Sequence, residues 1–248
     1  MIAGAVRDCA RVGLSAGWWF GLPILIALVQ IGARLLDRGS GFYFVRIESE
    51  QGLIENATAV ILIPAACWAM AAAVRLRSAG ATTASRWFLA VGLLCIAFCG
   101  EELNWGQHWF GWESPEFFER YNRQHETNLH NMNIHLGRVA KTALTAAILI
   151  GGIVIPLHRR LRGIAFEPGR SEREWMWPAG ACVFTACLAL AVRAVERVDT
   201  WFGPLPLMGM NLKETQEFYL ACFLFLYLWS AWRRAAAHLP GRPAASRS

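Results

Sequence analysis

Apolar residues along this chain do not alternate with polar ones in short runs. They gather into blocks of roughly 18–22, the length at which a helix crosses a bilayer. Six blocks fit, at about 15–36, 53–74, 86–103, 137–157, 177–195 and 214–232. The expected fold is all-α: a polytopic transmembrane helix bundle of about six spans, forming a single integral membrane domain over 1–248. The first block exceeds a signal-peptide core, and no small-residue cleavage site follows it, so it is expected to be retained.

The connections are unequal. The longest, 104–136, carries Ser114-Pro115-Glu116, which reads as N-cap, proline at the first helical position and an acid in the first turn. Phe117, Phe118 and Tyr121 then fall on one side, predicting a short amphipathic helix in the membrane interface. The apolar, Gly/Pro-rich 201–210 loop is expected to fold over the bundle. Asn211-Leu212-Lys213-Glu214 reads as a capping box opening the sixth span.

Composition agrees with the pattern: 55% of residues are hydrophobic and 17% charged, against about 25% charged in soluble domains. Net charge is +6, and all the basic residues are arginine except Lys141 and Lys213. No continuous basic stripe exists, which excludes nucleic acid as a partner. The arginines instead mark a side. The N-terminus, 75–86, 158–176 and the tail hold 14 basic residues against four acids; 34–55, 101–141 and 193–217 hold 10 against 14. The positive-inside rule then puts both termini in the cytoplasm and the acid-rich face outward, in a cell (inner) membrane. His158–Arg162 and Trp232–Arg234 are expected to anchor to anionic headgroups. Most of the 12 tryptophans lie near span ends and read as an aromatic belt. The seven cysteines show neither disulfide nor zinc spacing.

Polar residues converge at the acid-rich ends. Glu55-Asn56 opens the second span and Glu101-Glu102 closes the third. Glu126, Asn128, His130 and Asn131 lead into the fourth. Arg193, Glu196, Arg197 and Asp199 close the fifth, and Glu214 and Glu217 open the sixth. Ionisable residues at membrane depth are costly and usually face a bundle interior or a wet cavity. Glu101, Asn104 and His108 share a face if the third helix continues that far, and Glu126 and His130 lie one turn apart on a helix, with Asn122 extending the stripe. Adjacent carboxylates in a low-dielectric pocket favour one retained proton, the condition for acid–base work. His125, His130 and His135 follow an H-x4-H-x4-H spacing that cannot share one site on a regular helix. Six histidines are too few for the boxes of membrane di-iron oxygenases. Arg193, Glu196 and Arg197 read as an ion-pair cluster at a helix end.

Three stretches together, Gly100-Glu101-Glu102-Leu103-Asn104-Trp105-Gly106-Gln107, Phe110–Glu116 and Gln124-His125-Glu126-Thr127-Asn128-Leu129-His130-Asn131, resemble a family of uncharacterised bacterial polytopic membrane proteins with G-E-E-x-x-W-G-Q and E-x-N-L-H-N motifs. The resemblance covers about a third of the chain, chiefly 48–135. It implies a helical membrane fold and no established activity. It carries over Glu101, Glu102, Trp105, Gln107, Glu126, Asn128, His130 and Asn131, but neither His108 nor His125. A weaker similarity, at Glu55-Asn56, is to alkaline ceramidase-like zinc hydrolases, whose Ser-x-x-x-His and H-x-x-x-H motifs this chain lacks; it is an analogy of mechanism only.

These readings favour a membrane-embedded enzyme acting on a lipid or lipid-linked substrate. Glu101 or Glu102 would be the general base and His130 a metal ligand or general acid. Glu126 would orient His130 or join it on a divalent metal, the candidate cofactor. Glu55, Gln107, Asn128, Asn131 and Glu217 would bind the headgroup, with Trp105 and Trp109 as walls. Membrane lipids are the expected partners, and a second copy of the chain is a further candidate. The alternatives are a structural or assembly partner with a helix-locking polar cluster and a proton-coupled transporter, against which stands the absence of visible repeats.

Overall fold

The structure is a computed structural model that describes residues 15, 17–37, 41–47, 49, 52–129, 131, 132, 134–164, 167, 170–202 and 212–239. Every regular element among the described residues is helical. A π turn at Gly17–Gly21 leads into α1 (Leu22–Leu36). Then come α2 (Leu53–Ser78), α3 (Thr82–Glu102), and the short α4 (Gln107–Phe110) and α5 (Glu116–Tyr121). Helix α6 (Ile134–Ile148) passes through a π segment, Leu149–Val154, into α7 (Ile155–Leu161). Short α8 (Glu172–Met176) precedes α9 (Cys182–Phe202) and α10 (Leu212–His238).

Four helical stretches are long and apolar enough to cross a membrane: Trp19–Leu36, Leu53–Ser78, Thr82–Glu102 and Val139–Leu161. This is the signature of a membrane protein. Helices α9 and α10 have the length but not the uniform apolarity. Arg193, Glu196, Arg197 and Asp199 crowd the last turns of α9. Helix α10 starts with Lys213, Glu214 and Glu217 and ends near Arg233 and Arg234. Yet α10 is the centre of the bundle, buried on almost all sides from Phe218 to Leu228 and packed against α2 and α9. A helix apolar all round belongs in a core.

Small residues set the closest approaches. Ala65, Ala66, Ala69, Ala72 and Ala73 are buried on α2; at its contact with α3 the Ser85 hydroxyl donates to the Ala73 carbonyl at 2.8 Å and a Cβ on Gly92 would lie 3.0 Å from Ala69 Cβ. Close backbone approach is how helices gain dispersion contact where lipid offers no hydrophobic drive. Several tryptophans do more than belt the bundle. Trp68 stacks on Trp229 at 5.2 Å, while Trp19 and Trp175 are buried.

At the arginine-rich end the 158–176 connection is a lock. Arg159 donates to both oxygens of Glu174, at 2.9 and 2.7 Å. Glu172 accepts the Thr83 and Ala84 amides, capping the start of α3. Buried Arg234 donates to the carbonyl of Trp177 at 2.9 Å. The Tyr227 hydroxyl accepts from the Trp87 indole and donates to the Met176 carbonyl, both at 2.7 Å.

One local expectation changes, and another lies beyond the described residues. Helix α5 forms, but Pro115 takes the capping position, and the Ser114 hydroxyl donates instead to the His125 carbonyl at 2.6 Å. Residues 203–211, with the expected loop and capping Asn211, lie outside the described residues. The Arg193–Glu196 pair forms as expected, at 2.6 Å. The six described cysteines carry free thiols.

Candidate functional site

Helix α3 ends at Glu102, where the Leu103 amide bonds to the Cys99 carbonyl at 3.1 Å. Three residues with positive φ follow: Asn104 (47°), Trp105 (55°) and Gly106 (97°). Left-handed conformations end helices; glycine adopts them freely, asparagine tolerates them and a bulky residue rarely does. The helix therefore does not continue to His108, and Glu101, Asn104 and His108 do not form one helical stripe. Likewise Glu126 lies in a non-helical 122–129 loop, so Asn122 and Glu126 do not share a helical stripe. His130 itself lies outside the described residues.

Side-chain amides organise that loop. Asn128 has 0% exposure. Its Nδ2 donates to Asn104 Oδ1 at 2.6 Å and Glu126 Oε2 at 3.1 Å. Its Oδ1 accepts from Asn122 Nδ2 at 2.9 Å and the Asn131 amide at 3.1 Å. All four valences of the amide are thus used within the protein. Asn131 Nδ2 adds a second donor to Glu126 Oε2, at 3.4 Å. The left-handed turn at Asn104 is what offers its carbonyl to Asn128.

The loop closes over the ends of α2, α3 and α10 and leaves a cavity of about 70 Å³. That volume holds a few waters, or an ion with part of its hydration shell. Five carboxylates line it: Glu55, Glu102, Glu126, Glu214 and Glu217. The remaining wall is Asn104, Gln124, Asn128, Asn131 and Lys213. Glu102, Glu214 and Glu217 are closest, each offering an oxygen within 4.8 Å of the other two. Glu102 is buried at 7% exposure, and the other two side chains are 16% and 12% exposed. Lys141, on α6, pairs with Glu217. At that separation each pair of like charges repels by on the order of 3 kcal/mol at an effective dielectric of 20.

Of the residues singled out in the sequence, Glu55, Glu102, Glu126, Asn128, Asn131 and Glu217 come together around the cavity. Glu101, Trp105 and Gln107 are not on its wall. Glu101 accepts from the Trp105 indole at 3.0 Å and from the Leu129 amide at 2.8 Å. Gln107 Oε1 accepts the Thr127 amide at 2.8 Å, and its Nε2 donates to Ser114 at 3.0 Å. Trp109 donates to Asn56 Oδ1 at 3.0 Å.

Asn104, Gln124, Lys213 and Glu214 line the cavity without having been assigned to the sequence-derived site, and Lys141, paired to Glu217, was not assigned either. The lysines carried a signal, since a chain that otherwise uses arginine keeps its only two lysines for this corner. A compact ammonium fits beside one carboxylate where a guanidinium fork does not.

Searches of protein families, curated proteins and solved structures find no match to this chain.

Proposed function

We propose that the cavity is the active site of a membrane-embedded enzyme acting on a lipid or lipid-linked substrate. The observation that supports this most is the grouping of Glu102, Glu214 and Glu217 beside a polar cavity at one end of apolar helices. Three carboxylates this close require balancing charge from protons or a cation. Their donors are all oxygen, which suits a hard divalent cation such as Mg²⁺, Mn²⁺ or Ca²⁺. Such a cation, when bound, supplies Lewis acidity toward a phosphoryl or ester oxygen.

The chain's own residues divide the remaining work. Glu102, Glu214 and Glu217 would hold the cation. Glu55 and Glu126, on the same wall, are left to take a proton from an attacking water and return it to a leaving group. Lys213, its side chain 54% exposed, meets an anionic headgroup at the rim. The aromatic surface of Trp105, Trp109, Phe110, Phe117 and Tyr121, all exposed, sits in the interface beside the substrate's acyl region. In this reading α9 and α10 complete a six-span bundle in the inner membrane. The arginine-rich end and both termini face the cytoplasm, and the cavity faces outward.

The continuous Asn122–Asn128–Asn104–Glu126 network supports a second reading, a polar lock between helices without catalysis. Metal analysis separates the two. Protein purified in mild detergent and dialysed against Mn²⁺ is measured by inductively coupled plasma mass spectrometry, beside Glu102→Gln and Glu214→Gln. The enzyme reading expects near one equivalent in wild type and loss in both variants. A well-folded wild type that retains no metal removes the cation and favours the lock.

A further inference from the structure

We infer that Glu101 and Glu102, neighbours in the chain, have divided roles: Glu102 belongs to the cavity, and Glu101 is a positioning residue that clamps the 122–129 loop over it. The inference rests on the reading of the cavity as the working site. Consecutive helical residues point about 100° apart, so two adjacent carboxylates at a helix end serve two directions.

The clamp has three parts. Gly100 is the seat. A Cβ there would lie 2.9 Å from the Trp105 ring, closer than carbon atoms pack, so a side chain at position 100 would displace the indole. Trp105 is the brace. Its left-handed backbone turns the indole back onto the helix it has just left, where Nε1 donates to Glu101 Oε1 at 3.0 Å. Glu101 is the strut. Its second oxygen, Oε2, accepts the Leu129 amide at 2.8 Å. Leu129 adjoins Asn128, the amide that fixes Glu126, Asn131 and Asn104 around the cavity. Gly100 thus admits Trp105, Trp105 orients Glu101, and Glu101 holds the loop bearing the cavity's carboxylate and amides. This gives a physical reason for the spacing of Gly100, Glu101 and Trp105 and for their distance from Leu129. Trp105 is 47% exposed on the face that the proposed orientation sets in the interface, so the clamp is braced from the membrane side.

The test is hydrogen–deuterium exchange at the Leu129 amide in the full chain reconstituted in nanodiscs, with Mn²⁺ titration of the same samples. Glu101→Ala should speed Leu129 exchange about tenfold, the effect of losing one charge-assisted hydrogen bond. Gly100→Ala raises helix propensity and so preserves α3, yet should speed the same exchange by roughly threefold or more by unseating Trp105. Glu102→Gln should leave Leu129 exchange unchanged and remove Mn²⁺ binding. Glu101→Ala should weaken Mn²⁺ binding about tenfold through the displaced loop, and Glu101→Gln, which can accept only one of the two N–H groups, should weaken it by an intermediate amount, about threefold. Leu129 exchange unchanged in both Gly100→Ala and Glu101→Ala overturns the clamp, as does an equal rise in Glu102→Gln. Absence of Mn²⁺ binding in wild type overturns the proposed function instead, and the exchange data still decide the clamp.

Discussion

The two ends of the bundle treat charge in opposite ways. At the arginine-rich end Arg159 is matched to Glu174 by two hydrogen bonds, Glu172 caps a helix and Arg234 is held by backbone carbonyls. At the other end five carboxylates surround one cavity, with Lys213 beside them and Lys141 paired to Glu217. The same helices connect both ends, so the contrast is not one of fold. One end closes the bundle. The other holds like charges close together, an arrangement that costs stability and is usually retained for binding or chemistry.

Substitutions should separate the ends by sign as well as size. The largest effect expected is from Arg159→Ala, which strands a nearly buried Glu174 and should cost about 3–5 kcal/mol, read from thermal unfolding in detergent. The hydrogen bonds from Arg159 hold the Glu174 carboxyl below its usual range. A carboxyl with a lowered folded value stabilises above its unfolded value and loses that contribution as pH falls through the folded one. Acid should therefore destabilise wild type more steeply than Arg159→Ala, as a pH series of melting temperatures would show. Asn128→Ala comes next, at about 2–3 kcal/mol, because it leaves several buried groups unpaired at once. Glu102→Gln should move the other way, stabilising the metal-free protein by on the order of 1 kcal/mol while removing cation binding. A loss of stability there would show that the acid end is built like the arginine end. Trp109→Phe, which removes one exposed bond to Asn56, should cost about 0.5–1 kcal/mol and sharpen the baseline.

Block lengths marked where the long helices lie, because hydropathy is a property of each segment alone. The gathering of Glu55, Glu102 and Glu217 at one level followed from their places at same-side ends of successive spans, and that of Glu126 from its place in the long connection at the same end. The sequence did not disclose the left-handed run at Asn104 and Trp105. Two non-glycine residues with positive φ are stabilised by side-chain contacts that helical spacing does not encode: Asn128, far along the chain, on one, and Gly100 and Glu101, back across the turn, on the other. Helical spacing was therefore extended to His108, which lies in a separate short helix, and through Glu126, which lies in no helix. Glu101 and Glu102 looked equivalent for a related reason. Adjacent identical residues differ only in direction, and direction depends on where the helix stops. Lys141 was missed because its partner, Glu217, lies far along the chain on another helix.

The π segment at Leu149–Val154 has a consequence for how one helix serves both ends. Lys141 and Arg159 are eighteen residues apart, about five turns of regular α-helix, which would stack them on one face. A π turn takes up about one additional residue and so shifts the phase of everything beyond it by roughly 100°. The segment lies where Gly152 lets Phe223 and Ala186 approach and where Pro156 removes a helical donor. It thus acts as an angular offset: Lys141 addresses α10, and Arg159, turned aside, addresses α8. Deleting Gly151 would make the helix regular yet keep that offset, because one step fewer at about 100° per residue also leaves Arg159 roughly 100° short of Lys141. The arginine lock and the acidic cavity would then both stay in register.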